Sequence, residues 1–373
     1  MSELVRHNFP EIDEKWHSHV KMRFAGPFVG KQIDRVDVDP ILLGCCAQWT
    51  GYTVRDFNER GDLAVHMAAY CHQMFDLLPV THWFYSNVWL EELGATLQCT
   101  DRLPWIVVGD RPVPDPEAVE KLRIPDVEEM DKGPCCQRHY RAYDYEKKYI
   151  PKMMLPLSHA FCLTSMAAEL VGPEKYIMWM FRQPDVCHKL VHKIAMTSAN
   201  GAIAIANRYG FAMLVIGSVL ANSDVIPPKS IKEFHLDHVN EYLREALRGG
   251  AGPQLWYHNC GNHELDYPLF HDVYSTPFTV LHNGYFGKDV FPSELYIKEG
   301  LDRKFTVMAS VDTKDMWHAK HDVIRETAKR QIEGGVDAKR GFILGTSCET
   351  PVGTPASAVY TLVKAAKDYG TFK

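Results

Sequence analysis

A β-α-β unit is predicted by three consecutive segments: "FAMLVIGS" (residues 211–218), "PPKSIKEFHLDHVNEYLREALRGG" (227–250) and "PQLWYHNC" (253–260). The first and third are short apolar runs, typical of strands that are buried on both faces. The long polar segment between them has the length of a helix. Strands that alternate with helices in this way are parallel, because the helix carries the chain back along the sheet.

The middle segment carries the signals of an amphipathic helix. Apolar residues at helical spacing line one face: Ile231, Phe234, Val239, Leu243 and Leu247. Ser230 and Glu233 predict a capping box at the start of the helix, and Gly249 and Gly250 predict its end. We therefore expect a helix that buries one face against the sheet.

The alternation continues to the end of the sequence. Further strands are predicted at residues 278–284, 305–310 and 341–348, and helices at 320–335 and 354–370. Thr354 is the predicted N-cap of the last helix, with Pro355 at its first position. No G-x-G-x-x-G fingerprint of an open dinucleotide-binding sheet follows a strand, so we favour a closed barrel of parallel strands.

Composition and charge exclude several classes of protein. The chain has 373 residues, of which 46% are apolar. It contains no run of 18 apolar residues that could span a membrane. A net charge of -6 without a basic tract argues against a nucleic-acid partner. The first residues lack the basic start and apolar middle of a signal peptide. We expect a cytoplasmic protein that binds neither nucleic acid nor a membrane.

Three residues at predicted strand ends could bind a metal ion. Residues i and i+2 of a strand point the same way, so His258 and Cys260 can direct an imidazole and a thiolate to one point. Cys348 ends the last predicted strand, and the strand ends of a barrel share one rim. One imidazole and two thiolates suit Zn²⁺ and leave a fourth position for substrate. The alternative is that all three are ordinary core residues.

Three segments carry a resemblance to a known family: "HNCGN" (residues 258–262), "ASVDTKDM" (309–316) and "GFILGTSCETPVGTP" (341–355). With them the chain resembles the uroporphyrinogen decarboxylase superfamily, and within it the zinc-dependent methyltransferases that work with corrinoid proteins. The arginine-rich N-terminal motif with which the decarboxylases grip tetrapyrrole carboxylates is absent. The methyltransferase branch is therefore the better match.

The resemblance implies a fold and a metal. The fold is an α/β (β/α)₈ TIM barrel of the uroporphyrinogen decarboxylase type with N-terminal helical additions. Residues 1–75 would form an extension packed on a barrel of residues 76–373, in one structural domain overall. The implied zinc ligands are His258, Cys260 and Cys348, which are the residues that strand spacing also selects.

The branch contains two kinds of methyltransferase. One moves a methyl group from a methylated corrinoid protein to a thiol such as coenzyme M, and the other moves it from a methoxylated aromatic compound to the corrinoid, which is an O-demethylation. Both use zinc. Aromatic residues that could line a pocket for a flat ring favour the second kind: Trp49, Tyr52, Trp83, Tyr85 and Trp256. The alternative is that these side chains fill the core.

The resemblance also implies a corrinoid (cobalamin) cofactor. The cobalamin-binding pattern Asp-x-His-x-x-Gly is absent from the sequence, so we expect cobalt(I) to arrive on a partner corrinoid protein. Glu264 is our candidate general acid, with His263 and Tyr257 as alternatives, and Glu264 or Glu349 could be a fourth zinc ligand. Two other functions stay open: a metal-free decarboxylase-like lyase and a non-catalytic barrel that scaffolds a corrinoid partner. The sequence also leaves a homodimer open.

Overall fold

The computed structural model describes residues 4–29, 31, 33–80, 83, 88–101, 104–106 and 111–372. The strands are β1 (Asp37–Asp39), β2 (Leu97–Cys99), β3 (Pro104–Ile106), β4 (Leu157–Phe161), β5 (Met213–Ser218), β6 (Leu255–Asn262), β7 (Thr279–Phe286), β8 (Asp289–Val290), β9 (Thr306–Val311) and β10 (Phe342–Thr346). The helices are α1 (Glu14–Ala25), α2 (Cys45–Thr50), α3 (Val54–Glu59), α4 (Gly61–Phe75), α5 (Pro116–Lys121), α6 (Val127–Lys132), α7 (Pro134–Tyr149), α8 (Leu163–Val171), α9 (Pro173–Arg182), α10 (Pro184–Tyr209), α11 (Pro228–Ile231), α12 (Asp237–Arg248), α13 (Ser293–Lys298), α14 (Thr313–Trp317), α15 (His321–Gly335) and α16 (Ala356–Tyr369). Within these described residues, no helix is both long and apolar enough to cross a membrane.

The first of two compact units consists of Met1–Trp83, Arg141–Leu155 and Ser275–Lys373. Its parallel strands pair in the order β1, β10, β9 and β7, and the short β8 pairs antiparallel with β7. β9 and β10 are buried along their whole length, which explains why their sequences are continuous apolar runs. Helices α15 and α16 pack against each other.

The second unit consists of Phe84–Tyr140 and Pro156–Tyr274. Its parallel strands pair in the order β4, β5 and β6, and β2 and β3 form a separate antiparallel pair. The 26-residue α10 starts with a proline at its first position and ends at Gly210, whose φ of 89° closes the helix in the left-handed conformation. α10 packs against β4 and α12.

The predicted α/β class is confirmed, and the strands with parallel partners alternate with helices as in a TIM barrel. A barrel requires each strand to have two neighbours. Among the described residues, β1 and β4 each pair with a single strand. Within the described residues the sheet is therefore not closed, and the predicted TIM-barrel class remains consistent with it.

The helix predicted at residues 227–250 is present but begins differently. Pro227 is the N-cap and Pro228 the first helical residue, so Ser230 lies inside the first turn, where its N–H donates to the Pro227 carbonyl oxygen at 2.8 Å. The predicted Ser230 capping box is therefore wrong, because proline at the first position sets the start. A π-helical turn, Lys232–Leu236, joins α11 to α12. The predicted end at Gly249 is confirmed.

The last helix starts one residue later than predicted. Pro355 is extended, with ψ of 136°, and is the N-cap, while Ala356 is the first helical residue. Thr354 is therefore not the N-cap. Helix ends depend on local backbone angles, which residue type alone fixes only to within a residue or two.

Candidate metal centre

Strand β6 holds two predicted ligands side by side. His258 lies opposite Gly217 of β5, and Cys260 follows two residues later on the same strand. The Cys260 Sγ lies 2.8 Å from His258 Nε2. His258 is buried and Cys260 is half-buried. The period-two alternation of the strand thus brings the imidazole and the thiol together, as predicted.

Gly261 turns the chain directly after Cys260. Its φ is +86°, a conformation that side chains other than glycine rarely adopt. A Cβ built on Gly261 would lie 2.8 Å from the side-chain Cγ of Asn222. Both the backbone angle and the close approach of Asn222 therefore require glycine at this position.

His263 fixes the backbone of Cys260. The buried ring places Nε2 2.9 Å from the Cys260 carbonyl oxygen and Nδ1 2.8 Å from Asp266 Oδ2. Ser223 Oγ donates to the other carboxylate oxygen of Asp266. Both nitrogens of the ring are thus engaged with protein groups, and the ring holds the Cys260 carbonyl oxygen in place.

Cys348 lies in the loop after β10 and is half-buried. Thr346 Oγ1 is 2.8 Å from both the Pro40 and the Cys348 carbonyl oxygens, which anchors the start of this loop. The next residue, Glu349, accepts a hydrogen bond from the Gly44 N–H at 3.4 Å. Burial and the neighbouring Cys348 raise the pKa of Glu349 to about 8, although the Gly44 N–H opposes the shift.

His258, Cys260 and Cys348 form a group that could hold a metal ion. One ligand atom from each lies within 4.8 Å of the other two. Three ligands of one Zn²⁺ are about 3.5 to 4 Å apart, given bonds of about 2.3 Å to sulfur and 2.0 to 2.1 Å to nitrogen. The donor set fits zinc. The three atoms lie close enough for one ion, and binding it would move Cys260 Sγ and His258 Nε2 apart by less than about 1 Å from their present 2.8 Å. In the part of the chain that the structure describes, neither Glu264 nor Glu349 belongs to this group.

The candidates for general acid differ in exposure. Glu264 is exposed, and its backbone N–H donates to Asn262 Oδ1 at 3.0 Å. Tyr257 is buried, and its hydroxyl donates to the Tyr274 carbonyl oxygen at 2.8 Å. Burial raises the pKa of Tyr257, which makes it a weaker acid.

Two of the predicted pocket residues, Trp83 and Trp256, are buried. Trp83 is 2% exposed, and its Nε1 donates to the Phe57 carbonyl oxygen at 3.0 Å. Trp256 on β6 is 3% exposed. Tyr85 lies outside the described residues. The buried state of the two tryptophans fits the alternative that they fill the core.

Trp49 and Tyr52 lie nearer the surface. Trp49 is half-buried, donates from Nε1 to the Thr354 carbonyl oxygen at 3.1 Å and packs edge-on against Phe75. Tyr52 is 37% exposed, and its ring centroid is 5.9 Å from that of Phe9. These two rings are the more accessible members of the predicted aromatic set.

A polar network at the strand ends was not predicted. The Tyr285 hydroxyl donates to Asp312 Oδ1 at 3.0 Å and accepts from Ser347 Oγ at 2.9 Å. The Thr313 N–H donates to the same Ser347 oxygen at 3.2 Å. The network joins the carboxyl ends of β7, β9 and β10 beside Cys348. Polar residues directly after predicted strands were the signal that could have revealed it.

Comparison with known proteins identifies the family. The uroporphyrinogen decarboxylase (URO-D) family model matches residues 21–369. The chain belongs to the uroporphyrinogen decarboxylase family. A solved structure of a methyltransferase from Methanosarcina mazei is similar to this family member, with a TM-score of 0.75 and 17% sequence identity over 94% of this chain and 98% of that chain. No curated protein matches the chain in sequence.

These findings confirm the predicted resemblance at the level of the family. At 17% identity, the likeness to the archaeal structure shows that the two proteins share a fold. The methyltransferase branch of the family stays a prediction, as do zinc and the corrinoid.

Proposed function

We propose that this protein is a zinc-dependent methyltransferase that moves a methyl group from a methoxylated aromatic compound to the cobalt(I) corrinoid of a partner protein. The group formed by His258, Cys260 and Cys348 carries the proposal. Three protein ligands leave the fourth position of a tetrahedral zinc free for substrate, as in catalytic sites. The similarity to a structure named as a methyltransferase is further support.

The reaction needs help at the ether oxygen. The methyl–oxygen bond breaks, both of its electrons stay on the oxygen, and the methyl group bonds to cobalt(I) of the partner's corrinoid. The leaving group is a phenolate, whose conjugate acid has a pKa near 10, so its negative charge must be stabilised. Bound zinc supplies a Lewis acid worth several kcal/mol at that oxygen.

The protein's own residues hold the ligands in place. His263 binds the Cys260 carbonyl, and Gly261 allows the turn that follows it. Thr346 anchors the loop of Cys348. Removing groups that position metal ligands in this way typically lowers metal affinity 10- to 100-fold.

The corrinoid comes from a partner protein in this proposal, because the sequence lacks the cobalamin-binding pattern. The partner docks transiently, since the corrinoid must also reach the reaction that consumes its methyl group. A cytoplasmic location suits this exchange, and a homodimer is compatible with it.

One observation favours a second candidate, the methylation of a thiol by a methylated corrinoid. Trp83 and Trp256 are buried, which weakens the argument for an aromatic pocket. A small thiol needs no aromatic wall. In this case zinc would bind the thiol and favour its thiolate form, which is the nucleophile.

The direction of transfer can be tested directly. The purified protein is mixed with a reduced corrinoid protein and a panel of methoxybenzenes, and the absorbance of the methylated corrinoid is followed together with free phenol. We expect both products to appear in equal amounts. Discharge of the methylated corrinoid by an added thiol, without any reaction of the ethers, would establish the second candidate. Failure of both reactions would contradict methyl transfer altogether.

A further inference from the structure

Two histidines that contact each other lie on neighbouring helices of the second unit. His188 lies on α10 and His238 on α12, and these two helices pack against each other. His188 Nδ1 is 3.1 Å from His238 Nε2. We call His188 and His238 the histidine pair. The π-helical turn Lys232–Leu236 directly precedes α12, and such turns are frequent at functional sites.

Two carboxylates determine which nitrogens of the pair carry hydrogen. His188 Nε2 is 3.3 Å from Glu233 Oε1, and His238 Nδ1 is 3.1 Å from Glu241 Oε2. An ionised carboxylate only accepts hydrogen bonds, so each of these nitrogens donates. In a neutral imidazole the other nitrogen then has a lone pair. The two atoms that face each other, His188 Nδ1 and His238 Nε2, therefore both present lone pairs.

Two lone pairs at 3.1 Å repel each other unless a cation lies between them. We propose that the histidine pair is a second metal site, which binds a divalent ion such as Zn²⁺ through His188 Nδ1 and His238 Nε2. Two nitrogens bound to one zinc at about 2.0 to 2.1 Å are about 2.8 to 3.4 Å apart for bond angles between 90 and 109°. The observed separation of 3.1 Å lies in this range.

The surroundings of the pair match those of known histidine–metal sites. A carboxylate on the outer nitrogen of each ring orients the ring and makes the inner nitrogen a better ligand. Glu233 and Glu241 also supply two negative charges close to the ion. The His188 ring is stacked on Phe234, with centroids 4.7 Å apart, which fixes its plane.

The exposure of the two histidines indicates which other ligands an ion bound to the pair would have. The side chain of His238 is 12% exposed and that of His188 is 36% exposed. Water can therefore reach the ion and complete its coordination. Glu241 also accepts from His192 Nδ1 at 2.7 Å, which holds this third histidine one helical turn from His188.

Counting zinc per chain tests the site. The full-length protein and its variants are equilibrated with the same free zinc concentration, and bound zinc is measured by mass spectrometry. We expect His188→Ala and His238→Ala each to hold one zinc fewer than the unaltered protein. His321→Ala removes an exposed histidine outside the pair and should lose none. None of these variants changes His258, Cys260 or Cys348, so the difference tests the pair independently of the proposed function.

Two further measurements guard against misfolding of the alanine variants. Glu241→Gln keeps the shape of the side chain and should weaken zinc binding at the pair about tenfold or more. Cu²⁺ bound by the unaltered protein should give electron spin-echo signals from two imidazoles. Equal zinc in the unaltered protein and in His188→Ala would overturn the site, and a shared proton would then occupy the space between the rings.

Discussion

The metal centre and the histidine pair could hold the same ion, but they are built from different parts. The metal centre offers two thiols and one imidazole from strand ends, whereas the pair offers two neutral imidazoles from helices. Thiolates are soft, charged ligands that retain zinc, while two imidazoles and water allow exchange. His258 is 7% exposed, and His188 has a side chain that is 36% exposed. The difference is consistent with our proposals of catalysis at the first site and reversible metal binding at the second.

The largest expected effect is the loss of the metal centre's function. Cys348→Ala should remove one zinc per chain and lower the rate of methyl transfer about 10³-fold, because a Lewis acid contributes several kcal/mol to such a reaction. Zinc analysis and the corrinoid absorbance assay measure the two effects. Cys99→Ala is the matched control, since Cys99 is also half-buried but lies outside the group. Full activity of Cys348→Ala would remove the distinction between the two sites.

A second prediction concerns the stability of the turn at Gly261 that follows Cys260. Gly261→Ala should lower the free energy of unfolding by about 3 kcal/mol, from the strain of a positive φ together with the clash with Asn222. Gly300→Ala is the control, because Gly300 also has a positive φ, +74°, but a Cβ added there would meet no other atom within 4 Å. It should lose about 1 kcal/mol. Equal losses in urea unfolding would show that Asn222 simply moves aside.

Protonation of their ligands at low pH should release metal from both proposed sites. Comparing them therefore requires knowing the pH at which the fold itself loses stability. Burial tends to raise the pKa of Asp76, but Arg23 and Arg35 outweigh it and lower the pKa to about 2. The ionised carboxylate therefore stabilises the fold at pH values above the ordinary value of 3.8, and this contribution disappears as the pH falls through about 2. Asp76→Asn should cost about 2 kcal/mol at pH 7.

This pH dependence has a clear signature. The difference in free energy of unfolding between Asp76→Asn and the unaltered protein should shrink towards zero near pH 2, as measured by urea unfolding at several pH values. A difference that stays constant with pH would mean that the ion pairs with Arg23 and Arg35 are not its source. Metal lost between about pH 4 and 7 then reports on the two sites and not on unfolding through Asp76.

The smallest expected effect concerns the support of Cys260. His263→Gln should weaken zinc binding at the metal centre about tenfold, because the Cys260 carbonyl loses a fixed donor. Zinc bound at the histidine pair should be unaffected. A competition titration with a chelator separates the two affinities. If both sites weaken together, His263 acts through the stability of the whole unit and not through Cys260.

Much of the architecture could be predicted from local patterns. The short apolar runs around Leu214 and Leu344 predicted buried strands, because strands of a parallel sheet are covered on both faces and read as continuous apolar segments. The start of the helix at Pro228 was missed, because a serine followed by a glutamate three residues later resembles a cap wherever it occurs. The burial of Trp83 and Trp256 could not be predicted either, since an aromatic side chain can line a pocket or fill the core, and the sequence does not distinguish the two.

The sequence by itself determined that His258 and Cys260 point the same way, because strand geometry fixes the relation of residues two apart. It did not determine the approach of Cys348, nor the meeting of His188 with His238 across 50 residues of chain. Those distances depend on which strands pair and which helix faces pack. Pairing and packing are set by the whole core, so only the tertiary structure could decide them.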